Sequence, residues 1–374
     1  MNLRILFPIG TFYPAQSGGP SNSIYWLAKA LVQQGMLVTV ITTNTDQPES
    51  ICLDQWLETE AGRIRYVRTQ NHRLPWRLIR QSIQLLSNVD VVHMTSLFYP
   101  LSFIVACFAH INKKQIIWSP HGELAEPALT KNALVKRLIL FLYGPFFRHA
   151  SFHTTSPVET AQVRRHFGNV RIIEEPNCMF LPERVTPNAQ SGRYLLYLGR
   201  LHPIKGLNRL LKAVAKSAIV KKEHWQLRIV GPDTDGYGDK LRKLATRLTI
   251  ADLVQFEIPV SGSNKEELLA NAHALILPSH SENFGNVVIE ALAQGTPVIA
   301  STGSPWQVLE QREAGFWTDN SVTALQIAID TCLSLPDEQH AQYRERAYAL
   351  AHEQFNIEQS AQRWVKNYQS LFVK

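Results

Sequence analysis

Residues 280–301, HSENFGNVVIEALAQGTPVIAS, set two carboxylates, Glu282 and Glu290, eight positions apart around a Phe-Gly-Asn step. Val287, Val288, Ala291 and Leu292 give a helix an apolar face, Gly295-Thr296-Pro297 ends it, and PVIAS reads as a short buried strand. Glu290 then lies about one turn beyond Asn286. The amides of Phe284, Gly285 and Asn286 open at the helix N-terminus, where the aligned peptide dipoles favour negative charge. Such a geometry suits a polyhydroxylated or phosphorylated ligand. A capped surface helix with a solvated Glu would use the same residues.

Other residues share this chemistry. In YLGRLHPIKGLNRLLKA, a strand ends at Gly199, and Arg200 and Lys205 lie on the loop before the next helix. Two cations at this spacing can converge on one anion, Arg as a planar fork and Lys as a point charge, and a diphosphate fits them. Near the N-terminus, Gly18-Gly19 precedes Pro20-Ser21 at a helix start, so backbone amides can approach a phosphate there. The stretch is not G-x-G-x-x-G, which argues against a dinucleotide site. His121, in IIWSPHGEL, follows a strand and should sit at its carboxyl end, with Glu123 and Glu126 close by as contacts or as solvated charges. Asp233-x-Asp235 lies in a Gly-rich loop, where a plain turn is favoured over a divalent-metal pair.

These residues need elements to position them. The first half alternates β-rich runs (LRILFPI, LVTVITT, RIRYVR, VDVVHM, QIIWSP, ASFHTTS, VRIIEEP) with helical stretches, which implies a parallel sheet wrapped by helices with ligands at the strand carboxyl ends. PERVTPNAQSGR (182–193) reads as a linker, after which the alternation restarts with YLLYLGR, WQLRIVGP, LVQFEIP and HALILPS. The expected division is a first domain over 1–183, a second over 184–355, and a final helix over 356–374 packing back toward the first.

A chain of 374 residues, 45% hydrophobic and 18% charged, has the make-up of a two-domain globular protein. Its four cysteines are scattered, which fits neither a zinc site nor a disulfide framework and suits a reducing compartment. The opening MNLRILFPIGTFYP lacks the apolar core and cleavage site of a signal peptide and reads as a buried strand. Of the net charge of +7, residues 1–180 carry +6, from 17 Lys+Arg against 11 Asp+Glu. The first half therefore suits an anionic partner. No nucleic-acid-binding signature accompanies it, which leaves a membrane surface or a phosphorylated substrate. NHRLPWRLIRQSIQLL (71–86) places Arg73, Arg77 and Arg80 at helical spacing against Leu78, Ile79, Ile83 and Leu86, with Trp76 near the start. It suits the surface of an anionic bilayer, and equally a surface helix packed on its own domain.

With Arg200, Lys205, Glu282 and Glu290 in place, the chain resembles the family 4 retaining glycosyltransferases over nearly its whole length. The likeness runs in order through Gly18-Gly19, His121, GRLHPIKG, VGPD and PSHSENFGNVVIEALAQGTPVIAS. Its most specific part is the pair of segments G-R-x4-K and E-x7-E. The resemblance implies the GT-B fold, an α/β architecture of two Rossmann-like αβα domains facing each other across a cleft. It implies that Arg200 and Lys205 neutralise the diphosphate of a UDP- or GDP-sugar and that Glu282 lies beside the transferred sugar. The amides of Phe284, Gly285 and Asn286 would hold that sugar's hydroxyls, and Glu290 the ribose. His121 would border the sugar from the first domain, and Gly18 and Gly19 would lie against the phosphates.

By the same resemblance no metal or other cofactor takes part, and attack on the front face retains the anomeric configuration. The members most similar build surface polysaccharide or lipopolysaccharide. That implies a saccharide or lipid-linked saccharide acceptor and a cytoplasmic protein peripheral to the inner face of the membrane. Two segments depart from the pattern: Ile258 stands where many members have glycine near the base pocket, and EEPNCMF lacks the usual Asn-Gly. An epimerase or hydrolase of nucleotide sugars would share the architecture, and so would a non-catalytic partner subunit. The intact Arg200, Lys205, Glu282 and Glu290 argue against the latter.

Overall fold

Short runs rich in Val, Ile and Leu pair side by side in two sheets whose central strands are buried on both faces, as parallel strands under helices must be. The computed structural model describes residues 2–15, 19–130, 132–147, 149–188, 192–233 and 235–372. The chain folds as two units, 1–180 with 356–374, and 181–355.

The sheet of the first unit has eight strands: β1 Arg4–Ile9, β2 Leu37–Thr43, β3 Trp56–Thr59, β4 Gly62–Val67, β5 Val91–Thr95, β6 Gln115–Ser119, β7 Ser151–Thr154 and β8 Ile172–Glu174. Their order is β3-β4-β2-β1-β5-β6-β7-β8. Every pairing is parallel except β3 with β4, an antiparallel hairpin at the edge. Ile5 of β1 is in register with Val38 on one side and Val91 on the other. The strand order therefore reverses at β1, and the carboxyl ends of β1 and β5 flank a crevice, where such sheets bind ligands.

The second unit repeats the plan with β9 Tyr194–Leu198, β10 Gln226–Val230, β11 Val254–Glu257, β12 Ala274–Leu277, β13 Val298–Ser301 and β14 Gly315–Thr318. Their order is β11-β10-β9-β12-β13-β14, all parallel, with the reversal between β9 and β12. Residues 181–188, read from sequence as part of a linker, are pinned to this unit. Arg184 pairs with Glu345 at 2.7 Å, and the Val185 amide donates to Gln294 Oε1 at 2.8 Å.

The C-terminal helix Ile357–Gln369 belongs to the first unit. Its Trp364 and Tyr368 are buried among Ile5, Phe7 and Val91. The Tyr368 hydroxyl lies 2.6 Å from His93 Nδ1 and so ties the helix to β5.

The basic stretch at 71–86 forms the helix Trp76–Leu85, but its apolar face is turned inward. Leu78 and Ile79 are buried in the core of the first unit, and Arg77 pairs with Asp54 at 3.3 Å. The reading of this face as a bilayer contact is therefore corrected. Period alone gives a helix an apolar side without saying what covers it, and here the domain's own core does.

Candidate active site

In the second unit the chemistry gathers at the β9/β12 reversal. Gly199 and Arg200 follow β9, a single 3-10 turn carries Pro203–Lys205, and the helix Leu207–Lys216 begins after Gly206. Gly206 has a φ of 71°, and a Cβ there would lie 1.9 Å from the Pro278 carbonyl oxygen. Only glycine lets this turn press against the end of β12. The contact is fixed by the His280 amide, which donates to the Ile204 carbonyl at 2.8 Å.

That close approach brings residues 77 positions apart together: the Lys205 ammonium donates to Glu282 Oε2. The pair is mostly shielded, at 21% and 15% exposure. The Ser279 hydroxyl also donates to Glu282 Oε2, at 3.2 Å, and the Glu282 amide donates to the Gly303 carbonyl at 2.8 Å. Gly285, in the left-handed region at φ 85°, turns the chain into the helix Asn286–Ala293. Gly285, as the N-cap, has no side chain of its own to cap this end of the helix. The Phe284 carbonyl accepts from the Trp306 indole, which orients the Phe-Gly-Asn step.

Glu290 does not stand alone. Lys265, in the first turn of the helix Ser263–Asn271, donates to Glu290 Oε1 at 2.8 Å. Sequence reasoning missed Lys265, since nothing in GSNKEELL marks it apart from charge. Arg200 is exposed and has no ion-pair partner among the described residues. Among the described residues, the second unit thus brings together the pairs Lys205–Glu282 and Lys265–Glu290, the first just before the helix Asn286–Ala293 and the second on it, and Arg200 is exposed on the loop after β9.

The first unit presents a different surface at its own reversal. A cavity of about 440 Å³ opens at the carboxyl ends of β1, β5 and β6, lined by Gly10, Thr11, Ser96, Phe98, Tyr99, His121 and Glu123 among others. His121 sits two residues beyond β6 in a left-handed conformation, φ 49°. Its Nε2 is buried with no hydrogen-bond partner among the described residues. Burial, then the neighbouring His153, push its pKa down to about 3, so the ring is neutral at physiological pH. His153 is also held down by burial, to about 4. A chain of contacts runs from it through the Ser119 hydroxyl (2.8 Å) to His93 (2.7 Å).

Glu123 is not the solvated charge considered from sequence. It is shielded, accepting from the Ser96 hydroxyl at 2.6 Å and from the Leu97 amide at 2.5 Å, and burial raises its pKa. Glu126 is exposed and pairs with Arg165 at 3.3 Å. Phe98 and Tyr99 were also missed, although SLFYP just after β5 is an aromatic pair at a reversal point.

Gly18 lies outside the described residues, and Gly19 is the first residue of the helix Gly19–Gln33. Asp233 is a helix-end cap: its two oxygens accept from the Tyr237 and Gly238 amides at 2.8 and 2.9 Å. Asp235 is exposed in the turn. Ile258 is likewise exposed.

Two family models match this chain and together span most of it. Residues 18–178 match a glycosyl transferase 4-like domain, and residues 183–350 match the group 1 glycosyl transferases. The chain belongs to the family 4 type of glycosyltransferases. A D-inositol 3-phosphate glycosyltransferase from Thermomonospora curvata is 36% identical over 165 residues, 42% of this chain and 38% of that protein. The match thus spans well under half of that relative. An uncharacterized glycosyltransferase of Haemophilus influenzae is 26% identical over 93% of this chain and 95% of its own.

Among solved structures, Anabaena HepE in complex with UDP and glucose superposes with a TM-score of 0.77 at 18% identity, covering 98% of this chain and all of that one. The likeness shows the GT-B fold. In this glycosyltransferase, Arg200, Lys205 and Glu282 follow the strands that flank the reversal of the second unit, and His121 follows the strand next to the reversal of the first.

Proposed function

We propose that this glycosyltransferase moves a hexose from a UDP- or GDP-sugar to a saccharide acceptor, with retention of configuration and without a metal. The observation that carries the reading is the Lys205–Glu282 pair held just before the N-terminus of the helix Asn286–Ala293. A cation, a carboxylate and a row of amides at one crevice suit a ligand with both a diphosphate and sugar hydroxyls. HepE, of the same fold, was crystallised with UDP and glucose, which supports that donor class.

The bond to break joins the anomeric carbon to a phosphate oxygen, and negative charge grows on the departing diphosphate. Lys205 and the exposed Arg200 neutralise that charge, and preorganised donors of this kind act mainly on the transition state. When the diphosphate draws the Lys205 ammonium, Glu282 is left to accept from the transferred sugar's hydroxyls. The amides of Phe284, Gly285 and Asn286 hold the same sugar, and Glu290, oriented by Lys265, accepts from the ribose. The acceptor hydroxyl attacks on the face the diphosphate leaves, and its proton passes to a leaving phosphate oxygen. Glu282 and Glu290 are each ion-paired, so among the described residues they form no pair of free carboxylates for the double displacement of glycosidases.

In the first unit, the cavity with Phe98, Tyr99, Thr11 and Ser96 offers aromatic faces and hydroxyls of the sort that receive a sugar acceptor. Neutral His121, on the wall of this cavity, offers a sugar contact. The acceptor is lipid-linked, the product enters surface polysaccharide or lipopolysaccharide, and the protein works at the inner face of the membrane.

The test is a transfer assay with UDP-, GDP- and ADP-hexoses, lipid-linked and soluble saccharide acceptors, and EDTA throughout. The expected product keeps the donor's anomeric configuration by NMR. Release of free sugar irrespective of acceptor would instead favour an epimerase or hydrolase.

A further inference from the structure

The helix Ala133–Phe147 of the first unit leaves large apolar side chains in solvent. Leu134, Val135, Leu138 and Phe141 are 82%, 59%, 56% and 80% exposed. Leu134, Leu138 and Phe141 follow one another at spacings of four and three, so they form a single stripe along one helix face. The opposite side is what anchors the helix: Phe147 is buried, and Leu140 and Phe146 pack on the core. Soluble surfaces rarely carry such a row without a partner.

The charge around the stripe favours one kind of partner. From Pro127 to Ala150 the sequence holds Lys131, Lys136, Arg137 and Arg148 and no acidic residue, with Lys136 turned onto the Ala128 carbonyl. Arg137 is exposed one position before Leu138. The neighbouring helix Pro100–Ile111 meets this one through Phe103 and His110 on Phe146, and it ends in exposed Ile111 followed by Lys113 and Lys114. The stripe is one helix wide and about 10 Å long from Leu134 to Phe141. That is too little for a stable protein interface, which buries roughly 1,200 Å² or more. It is enough for a helix lying in the headgroup layer, which needs one apolar face and flanking cations. No helix among the described residues is long and apolar enough to cross a membrane.

We infer that the helix Ala133–Phe147 seats this enzyme on an anionic bilayer, with Leu134, Leu138 and Phe141 inserted and Arg137 at the headgroups. This deepens the membrane placement proposed above and moves its contact away from the helix Trp76–Leu85. The double variant Leu138→Gln/Phe141→Gln changes two exposed positions, so its fold should survive, which an unchanged melting temperature would verify.

The probes are vesicles of phosphatidylcholine alone and of phosphatidylcholine with phosphatidylglycerol, at low and at high salt. The wild-type protein should co-sediment with the anionic vesicles, less so with neutral ones or in high salt. The double variant should lose binding by about ten-fold or more, as for other shallow apolar anchors. Changing Arg73, Arg77 and Arg80 to Gln should alter it far less. Unchanged binding by the double variant would overturn this assignment while leaving the membrane placement standing. No vesicle binding by the wild type would overturn both. A lipid-free dimer that the double variant abolishes would assign the stripe to a second copy of the chain instead. Transfer to a soluble saccharide, measured alongside, reads the proposed activity independently of every one of these outcomes.

Discussion

The two units share a plan and differ in electrostatics. Each is a mostly parallel sheet whose order reverses between two central strands, and in each the candidate residues follow those strands or a strand close beside them. In the second unit they are charged and already in contact, Lys205 with Glu282 and Lys265 with Glu290. In the first they are neutral and shielded: His121, His153 and His93 are all held uncharged by burial, and His121 Nε2 lacks a partner among the described residues. One fold can therefore present counter-charges at one reversal and a cavity lined by aromatic rings, hydroxyls and a neutral histidine at the other. The charged half is held by ion pairs, whereas the neutral half is set in place by the packing around it.

The largest expected break in this comparison is Lys205→Ala. Losing a charge-assisted contact to the departing diphosphate, and leaving Glu282 uncompensated, should lower kcat/KM by about 2–4 kcal/mol, roughly 30- to 1,000-fold. Arg200→Ala has no such carboxylate to strand and should cost less, about ten- to 100-fold. Neither should move the melting temperature by more than a degree or two. Near-normal turnover in both would remove the diphosphate assignment.

The neutral half makes a prediction about pH. An unfolded histidine binds a proton below about 6.5, whereas folded His121 and His153 wait until about 3 and 4. Between these limits the unfolded state binds more protons, so stability rises with pH through that window and levels off above it. Each such histidine should cost about 2 kcal/mol on going from pH 7.5 to pH 5. His273 of the second unit, pushed down to about 4 by burial and by His340, adds to the slope. His121→Asn, which tolerates the left-handed backbone, should make the dependence shallower. An unchanged slope would mean that His121 is not held neutral.

Smaller effects are expected at the Gly-rich loop. Asp233→Ala removes the acceptor for two amides at the start of the helix Tyr237–Arg247 and should cost about 1 kcal/mol of stability. Asp235→Ala should leave turnover unchanged, with or without EDTA. A strict need for Mn²⁺ or Mg²⁺, lost in Asp235→Ala, would reinstate the pair as a metal site.

The residues that made the fold legible act locally. VVHM, QIIWS and ALIL are buried on both faces, so each declares a central strand without reference to anything distant. The WLET strand was not legible, because it is short, half exposed and carried by its hairpin with β4. At the site, the residue types of E-x7-E and G-R-x4-K could be read from sequence, but not the contacts that bring them together. Lys205 and Glu282 meet because Gly206 lies against Pro278, and Lys265 reaches Glu290 from a separate helix. Sequence spacing carries neither distance. The helix Trp76–Leu85 shows the same limit in reverse: its periodicity was correct, and only the packed core reveals what lies against the apolar side.

The central claim is that the second unit's cations bind a nucleoside diphosphate. It is tested most directly by thermal shift with UDP and GDP on the wild type and on the double variant Arg200→Ala/Lys205→Ala. A ligand at about 100 times its Kd stabilises the form it binds by about 2.7 kcal/mol. The wild type should show a shift of that order with at least one of the two, and the double variant should show almost none while melting normally without ligand. Equal shifts in both proteins would contradict the assignment of Arg200 and Lys205 to the diphosphate.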